Sequence, residues 1–455
     1  MKKTTSILSN LALIIVLIML SPAFTGKLLA QPPAGTPVIE MTTSTSGATV
    51  RIRMQAFSSN TPVWIETAPN TYRQVTVSTG WSPWTNYTPT GNSLKVHGSL
   101  RNFDCSGTGS STSSRSPVIA LNASGNTALQ QLYCNYTNLT SLTLTGLTNL
   151  NYLSCYYGNF TSLNLTGLTN LQTLYCYNNQ LTSLTLTGLT RLRYLNCGSN
   201  PLGSLNLTGL TQLYQLQCYH NQLTSLNLDG LTNLYYLYCY NNSITSLNLG
   251  NLKNLRTLYC ASNPLGSLNL DSLKNLTSLY CQSNQLTSLN LDSLKKLRYL
   301  YCYGNQLTNL DLTGLPELYY LQCYNNQLTS LDLTGLTKLY NVSCYNNQIT
   351  TLGDLTGLTA LYYLYCYNNR ISSLDVTGLS NLRYLRCYSN QISSLTLTGL
   401  TNLQELNCGY NQITGFDFTG LSALKTVECY GNPCTRTTYG MRHNLLQFTT
   451  KIYVG

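Results

Sequence analysis

The chain has 455 residues, of which 9% are charged and 43% hydrophobic. An average soluble protein carries about 25% charged residues, but the hydrophobic content excludes the polar, highly charged composition of a disordered chain. Three histidines exclude a His-rich metalloenzyme. The formal charge of +11 is spread without a Lys/Arg cluster, which excludes a nucleic-acid footprint. Tyrosine stands out, at 36 residues against seven Phe and three Trp.

Lys2 and Lys3 precede an apolar run from Leu11 to Leu20, followed by Ser21-Pro22-Ala23 and Leu29-Ala30-Gln31. Basic residues, a short apolar stretch and small residues behind it predict a secretory signal peptide over residues 1–30, cleaved after Ala23 or, favoured, Ala30. Its removal takes Lys2, Lys3 and Lys27 and no acid, leaving a charge of +8. The apolar run is too short to span a bilayer, and no later stretch reaches that length. No cysteine near the cleavage sites provides for a lipid anchor. The mature chain is expected to be secreted, or held at the cell surface or outer membrane by something other than a transmembrane span.

Residues 31–97 carry β-rich pieces, Ala48 to Met54, Pro62 to Glu66 and Tyr72 to Val77, separated by Pro, Gly, Ser and Asn. They predict a small N-terminal β cap over the first rung of the repeats that follow. All three tryptophans lie here, and Trp81-Ser82-Pro83-Trp84 is the sole support for the alternative, an independent carbohydrate-binding module.

Cysteine spacing organises residues 98–433. Cys134, Cys155, Cys176, Cys197, Cys218, Cys239, Cys260, Cys281, Cys302, Cys323 and Cys344 stand 21 apart. Gly353 adds one residue before Cys366, and the 21-residue step resumes through Cys387, Cys408 and Cys429. Cys105 fits the frame 29 residues before Cys134, the extra eight falling in the Ser/Gly-rich stretch from Gly107 to Ser114, for sixteen rungs in all. One rung runs Leu171-Gln172-Thr173-Leu174-Tyr175-Cys176-Tyr177-Asn178-Asn179-Gln180-Leu181, the L-x-x-L-x-C-x-x-N-x-L form of a leucine-rich repeat. A short strand turns Leu174 and Cys176 inward and Thr173, Tyr175 and Tyr177 outward. Leu181, Leu184, Leu186 and Leu189 continue the apolar columns, and Thr187-Gly188 marks the convex turn. The predicted fold is a β-rich leucine-rich-repeat solenoid, a curved parallel sheet with little α-helix and an N-terminal β cap. At about 4.8 Å per strand it is on the order of 75 Å long.

A second column, Asn179, Asn200, Asn221 and onward to Asn432, is expected to turn inward and satisfy backbone groups that the loop strands. Seventeen cysteines in a secreted chain first suggest disulfides. On adjacent parallel strands, however, the Cβ vectors point the same way and a χ3 near 90° is hard to reach. The ladder is therefore read as small buried hydrophobes, with no metal, since zinc sites want clustered ligand pairs. A Cys429–Cys434 disulfide is the exception left open.

The stepped L-x-x-L-x-C-x-x-N-x-L-T-S-L pattern resembles the cysteine-ladder repeats of the bacterial internalins, the internalin J type in particular, over residues 98 to 433. The resemblance implies a cell-surface or secreted adhesin, with a role in virulence, that docks surface molecules on its concave sheet. The sequence departs from the family in having no LPxTG-type sorting signal. Residues 434–455 shift in composition and are read as a tail, a cap or a truncated remnant.

Three outward columns sit three before, one before and one after each ladder Cys. The candidate binding residues are Tyr177, Tyr219, Tyr236, Tyr238, Tyr240, Tyr299, Tyr301, Tyr303, Tyr324, Tyr363, Tyr365 and Tyr367. Tyrosine gives rigid amphipathic contact area at low entropic cost; aligned rings also stabilise a sheet with no ligand at all. Charges there are sparse, with Arg386, Glu405 and Glu428 toward the C-terminal end. Asp229, Asp271, Asp292, Asp311 and Asp332 are read as one solvated convex position. No catalytic fingerprint appears, and His97, His220 and His443 are far apart in sequence. The expectation is a non-enzymatic adhesin without cofactor whose partner is a protein or glycoprotein on a host or microbial surface. The alternatives are a mucin-glycan-binding protein and a self-associating matrix protein.

Overall fold

The computed structural model describes residues 31–433 and 451–453. The expected signal peptide, Cys434, His443 and most of the tail lie outside the described residues. The chain divides into two compact units, one ending at Leu171 and one beginning at Gln172.

The first unit contains β1 (Val38–Thr43), β2 (Val50–Gln55), β3 (Thr61–Ala68), β4 (Thr71–Val77), β5 (Thr85–Tyr87), β6 (Ser93–His97), β7 (Asn102–Asp104) and β8 (Val118–Asn122). Period-two sequences make these strands: in β2, Val50, Ile52 and Met54 are buried while Arg51 and Arg53 alternate with them on the other face. One sheet runs from the repeat strand Ser141–Thr143 through β8, β1, β6 and β3 to β4. In a second, β2 pairs antiparallel with β5 and with β7, the strand that leads into Cys105. From β7 the pairing turns parallel, to Gln131–Tyr133 and then Tyr152–Ser154. The β-rich N-terminal segment thus hydrogen-bonds to the first rungs along two separate strands. Between them, Arg53 Nη2 meets Asp104 Oδ2 at 2.8 Å, with Asp104 almost wholly buried.

The second unit is a solenoid of three-residue parallel strands, one per rung along the main sheet from Thr173–Tyr175 to Thr426–Glu428, with a second parallel pair, Ser373–Asp375 and Ser394–Thr396, on two rungs and no helix among the described residues. Register is unshifted, Leu237 opposite Leu258 and Leu258 opposite Leu279, because an identical spacing in each rung gives every strand the same inward residue. The middle residue, Leu or Val, and the following Cys are wholly buried in each rung. Leu181, Leu184, Leu186 and Leu189 continue the core round the coil, and Gly188 turns the chain at φ +85°. Lys451–Tyr453 pairs in parallel with Thr426–Glu428.

The asparagine column behaves as expected. Asn200 Nδ2 donates to the carbonyl of Cys197 at 3.0 Å and to that of Cys176, one rung back, at 3.1 Å. Its Oδ1 accepts the Leu181 N–H at 3.0 Å. One asparagine thereby ties two rungs together where neither has strand partners. The residue two after each Cys, Asn178, Ser199, His220 or Asn241, is left-handed, with φ of 52–54°. Asn and Ser recur there because they tolerate that region.

The acidic residues correct the sequence reading, for they occupy two positions rather than one. Asp311 and Asp332 stand where other rungs have Asn, and each accepts the N–H of the threonine two residues on, at 2.8 and 2.9 Å. Asp354 and Asp375 do the same. Asp229, Asp271 and Asp292 sit two residues later and instead donate their own N–H to Asn227, Asn269 and Asn290. The first group are turn caps, and the threonine hydroxyl and N–H hold their carboxyls below the ordinary range.

Candidate functional site

Strand alternation turns the residues three and one before each Cys, and the one after it, away from the leucine core, and the tyrosines among them are half-buried. Backbone rung spacing then sets ring against ring. After the cysteines, Tyr303 stacks on Tyr324 at 4.3 Å, Tyr324 on Tyr345 at 4.3 Å, Tyr345 on Tyr367 at 4.4 Å and Tyr367 on Tyr388 at 4.4 Å. The interplanar angles are 8–10°. Tyr219 stacks on Tyr240 at 4.9 Å. In the next rung Ala261 takes the tyrosine position, and Tyr240 leans onto Tyr259 at 4.4 Å. Tyr177 is half-buried, and the rung between it and Tyr219 carries Gly198, where a Cβ would collide with the Tyr219 ring.

One before the cysteines, Tyr259, Tyr280 and Tyr301 follow at 4.8 and 4.6 Å, with Tyr238 6.5 Å from Tyr259. Gln322 and Ser343 separate Tyr301 from Tyr365, whose ring lies 5.1 Å from the Arg386 guanidinium. Three before, Tyr299 stacks on Tyr320 at 5.7 Å and Tyr363 on Tyr384 at 5.0 Å. The three-tyrosine rungs at Tyr236, Tyr299 and Tyr363 are therefore crossings of columns. Rings pair mainly along the solenoid, and Tyr259, Tyr280, Tyr320 and Tyr384 join the candidate residues on that ground.

A further column escaped the sequence reading. Four before the cysteines, Tyr214 stacks on Tyr235 at 4.7 Å, and Tyr319, Tyr340 and Tyr362 follow at 5.2 and 5.0 Å. The signal was present, at the same period one residue earlier.

Stacking decides what this surface offers. Both faces of Tyr324, Tyr345 and Tyr367 are covered by neighbours, so the rings present edges and hydroxyls. Burial and the adjacent phenols raise Tyr324 and Tyr367 well above the usual tyrosine value, and Tyr240 is pushed up to about 12 by burial and by Tyr219 and Tyr259. At neutral pH these hydroxyls are uncharged and able both to donate and to accept. The sparse charge is paired: Arg386 Nη2 lies 2.8 Å from Glu405 Oε1, and Glu428 accepts from Asn407.

Elsewhere the candidate chemistry is used internally. All ladder cysteines are buried; burial pushes the Cys155, Cys197, Cys239, Cys302 and Cys366 thiols up to about 12. Cys197 Sγ donates to the Gln217 carbonyl of the next rung at 3.6 Å. Among the described residues no three His, Cys, Asp or Glu converge as a metal site. His97 pairs with Glu66 at 2.8 Å within the first unit, and His220, in the second, is an exposed turn residue. The tryptophan pair engages arginines: Arg51 lies 3.9 Å from the Trp84 ring, and Arg53 lies 4.6 Å from Trp84 and 4.5 Å from Trp81.

A leucine-rich-repeat family model of two copies matches residues 169–212, 274–317, 295–338 and 380–423. Among solved structures, the functional domain of InlJ from Listeria monocytogenes, described as including a cysteine ladder, is 31% identical with a TM-score of 0.65. The match covers 75% of this chain and 76% of that one. The chain belongs to the internalin-like leucine-rich-repeat proteins. A second internalin, InlF from Listeria monocytogenes strain 4b F2365, is 26% identical with a TM-score of 0.50, over 72% of this chain and 86% of that chain. The structure of the Toll–Spatzle complex from Drosophila shares the fold alone, at 19% identity and a TM-score of 0.52 over 72% of this chain and 51% of that one. No curated protein sequence matches the chain. The ladder that marks this internalin-like chain is thus the buried thiol column described above, and no helix among its described residues is long and apolar enough to cross a membrane.

Proposed function

We propose that this internalin-like protein is a secreted or surface-held adhesin that docks a protein or glycoprotein of a host or microbial surface on its outward tyrosine face. The observation that carries this reading is the pair of unbroken tyrosine stacks, Tyr259 to Tyr301 and Tyr303 to Tyr388, which give an extended, rigid surface of ring edges and uncharged hydroxyls. Rings already stacked lose little side-chain entropy on binding, so apolar contact and hydroxyl hydrogen bonds contribute with less opposing cost. Few charges lie within the columns, so binding there depends weakly on salt. Sugar stacking on open ring faces is less favoured at Tyr324, Tyr345 and Tyr367, whose faces are occupied.

The test compares the intact protein with a variant carrying Tyr238→Ser, Tyr301→Ser and Tyr365→Ser on mucin-coated, epithelial and bacterial surfaces, after circular dichroism shows equal folding. Loss of binding on one surface supports the reading and gives the ligand class. Equal binding on all of them moves the function off this face and leaves the columns as sheet packing.

A further inference from the structure

The residues four before the ladder cysteines form a row with a composition of its own. It reads Arg193, Tyr214, Tyr235, Arg256, then Thr277, then Arg298, Tyr319, Tyr340, Tyr362, Arg383, and after Gln404 ends in Lys425. Two tyrosine stacks are each bracketed by arginines, and no carboxylate occurs in the row. The backbone fixes it in register. Tyr214 N–H donates to the Arg193 carbonyl at 2.8 Å, Tyr235 to Tyr214 at 2.9 Å and Arg256 to Tyr235 at 2.9 Å, and the series continues to Lys425. Arg256 packs 5.4 Å from the Tyr235 ring and Arg383 5.1 Å from Tyr362.

None of the ion pairs among the described residues involves these arginines, and Arg193, Arg256 and Arg298 are exposed. At about 4.8 Å per rung, successive arginines stand roughly 14, 10 and 19 Å apart. Beside the first stack opens a cavity of about 350 Å³ lined by Arg193, Gln212, Tyr214, Asn233 and Tyr235. Its lining combines a guanidinium, two amides and two phenols.

We infer that this row binds an extended acidic polysaccharide, its arginines taking the sulfate or carboxylate groups and its tyrosine and amide edges the sugar hydroxyls. Charge complementarity is the first reason: a row of unpaired cations, spaced over many rungs, suits a repeating anion, and the guanidinium fork matches both carboxylate and sulfate geometry. The second reason selects among polyanions. A single-stranded nucleic acid gains its affinity by stacking bases on open aromatic faces, and here Tyr340 is stacked on both sides by Tyr319 and Tyr362. A polysaccharide's hydroxyls and acid groups, by contrast, can be held without an open ring face, by hydrogen bonds to the tyrosine hydroxyls and to the amides of Gln212 and Asn233 beside the row. The row lies outside the three columns assigned above and does not rest on that reading. Its binding falls steeply with salt, whereas binding on those columns does not.

The test measures binding of the full chain to heparin, polygalacturonate, neutral dextran and a single-stranded oligonucleotide at low and raised salt. One variant carries Arg256→Gln, Arg298→Gln and Arg383→Gln. A charge-matched control carries Lys253→Gln, Lys274→Gln and Lys295→Gln, outside the row. The inference predicts salt-sensitive binding to heparin, polygalacturonate or both, and none to dextran. It predicts a loss of at least about tenfold in the arginine variant, the order set by even one lost charge-assisted contact, and little change in the control. Each single arginine variant, milder for folding, loses part of the affinity. Failure to bind either acidic polysaccharide, equal loss in the lysine control, or tighter binding to the oligonucleotide overturns it.

Discussion

Asn305 Nδ2 donates to the carbonyl oxygen of Cys281, 24 residues earlier, at 3.1 Å, and to that of Cys302 in its own rung at 2.9 Å. Its Oδ1 accepts from Asn284 N and Leu286 N, both at 3.0 Å. One amide thus satisfies four backbone groups from two rungs. The ladder cysteines supply the carbonyls, so the thiol and amide columns are parts of one device.

Replacing Asn305 with Ala strands these groups in the core and is predicted to lower stability by about 3 kcal/mol, since each unmet buried group costs about 1–3 kcal/mol. Asn221 provides the contrast. Its Oδ1 has no partner and Pro201 occupies the preceding rung, so Asn221→Ala is expected to cost about half as much. Urea unfolding of the two variants checks the difference; equal losses would contradict it.

The thiol ladder predicts a stability that falls in alkali. Burial holds Cys197, Cys239 and Cys302 near 12, while an unfolded thiol ionises at about 8.5. A raised folded-state value means that the native state keeps protons which the unfolded chain releases. The stabilisation is complete below about pH 8.5 and is lost as pH rises toward 12, by about 1.4 kcal/mol per pH unit for each such thiol. Urea midpoints should drop between neutral pH and about pH 10. Ladder thiols should resist alkylation until the protein unfolds, and fast alkylation of the folded protein would contradict their burial.

Tyr324 and Tyr367 should titrate late. Each is held above the ordinary phenol value by burial and by ring neighbours in the stack, so each favours the folded state below about pH 10 and loses that contribution at higher pH. Ultraviolet titration of the folded protein should show tyrosines ionising beyond the usual range, and fewer of them in Tyr324→Phe. Tyr324→Ala, which breaks two stacked contacts, is expected to cost about 1–3 kcal/mol.

Arg53→Met leaves the Asp104 carboxylate, 3% exposed, without its guanidinium. Only Asp104 is buried while Arg53 is 31% exposed, so the loss falls below that of a fully buried pair, about 1–3 kcal/mol, and the rings of Trp81 and Trp84 lose the cation packed against them. A lower melting temperature together with altered tryptophan fluorescence is expected; unchanged values would show that this pair does not hold β2 on β7.

The sequence made the repeat legible because a period of 21 fixes Leu, Cys and Asn at the same inward stations in each rung. What it concealed followed from geometry within the rung. Strict alternation assigns the position of Tyr214 and Tyr235 to the inward side. The chain has not yet entered the strand there, and both side chains stay half-buried instead of joining the core. Alternation also shows which tyrosines point outward but not that rings such as Tyr324 and Tyr345 close on one another. The aspartates fall close together in sequence because Asp311 replaces the Asn227 type while Asp229 replaces the Thr313 type, two residues apart in the same turn.

Removing hydroxyls while keeping rings tests most directly whether the outward tyrosine edges bind a surface macromolecule. A Tyr238→Phe, Tyr280→Phe, Tyr301→Phe variant keeps the rings and leaves the Gln282–Tyr259 hydrogen bond in place. Binding to the surface that the intact protein recognises should weaken by about tenfold or more, with melting temperature unchanged. Undiminished binding by an equally stable variant would show that the tyrosine hydroxyls do not hold the ligand.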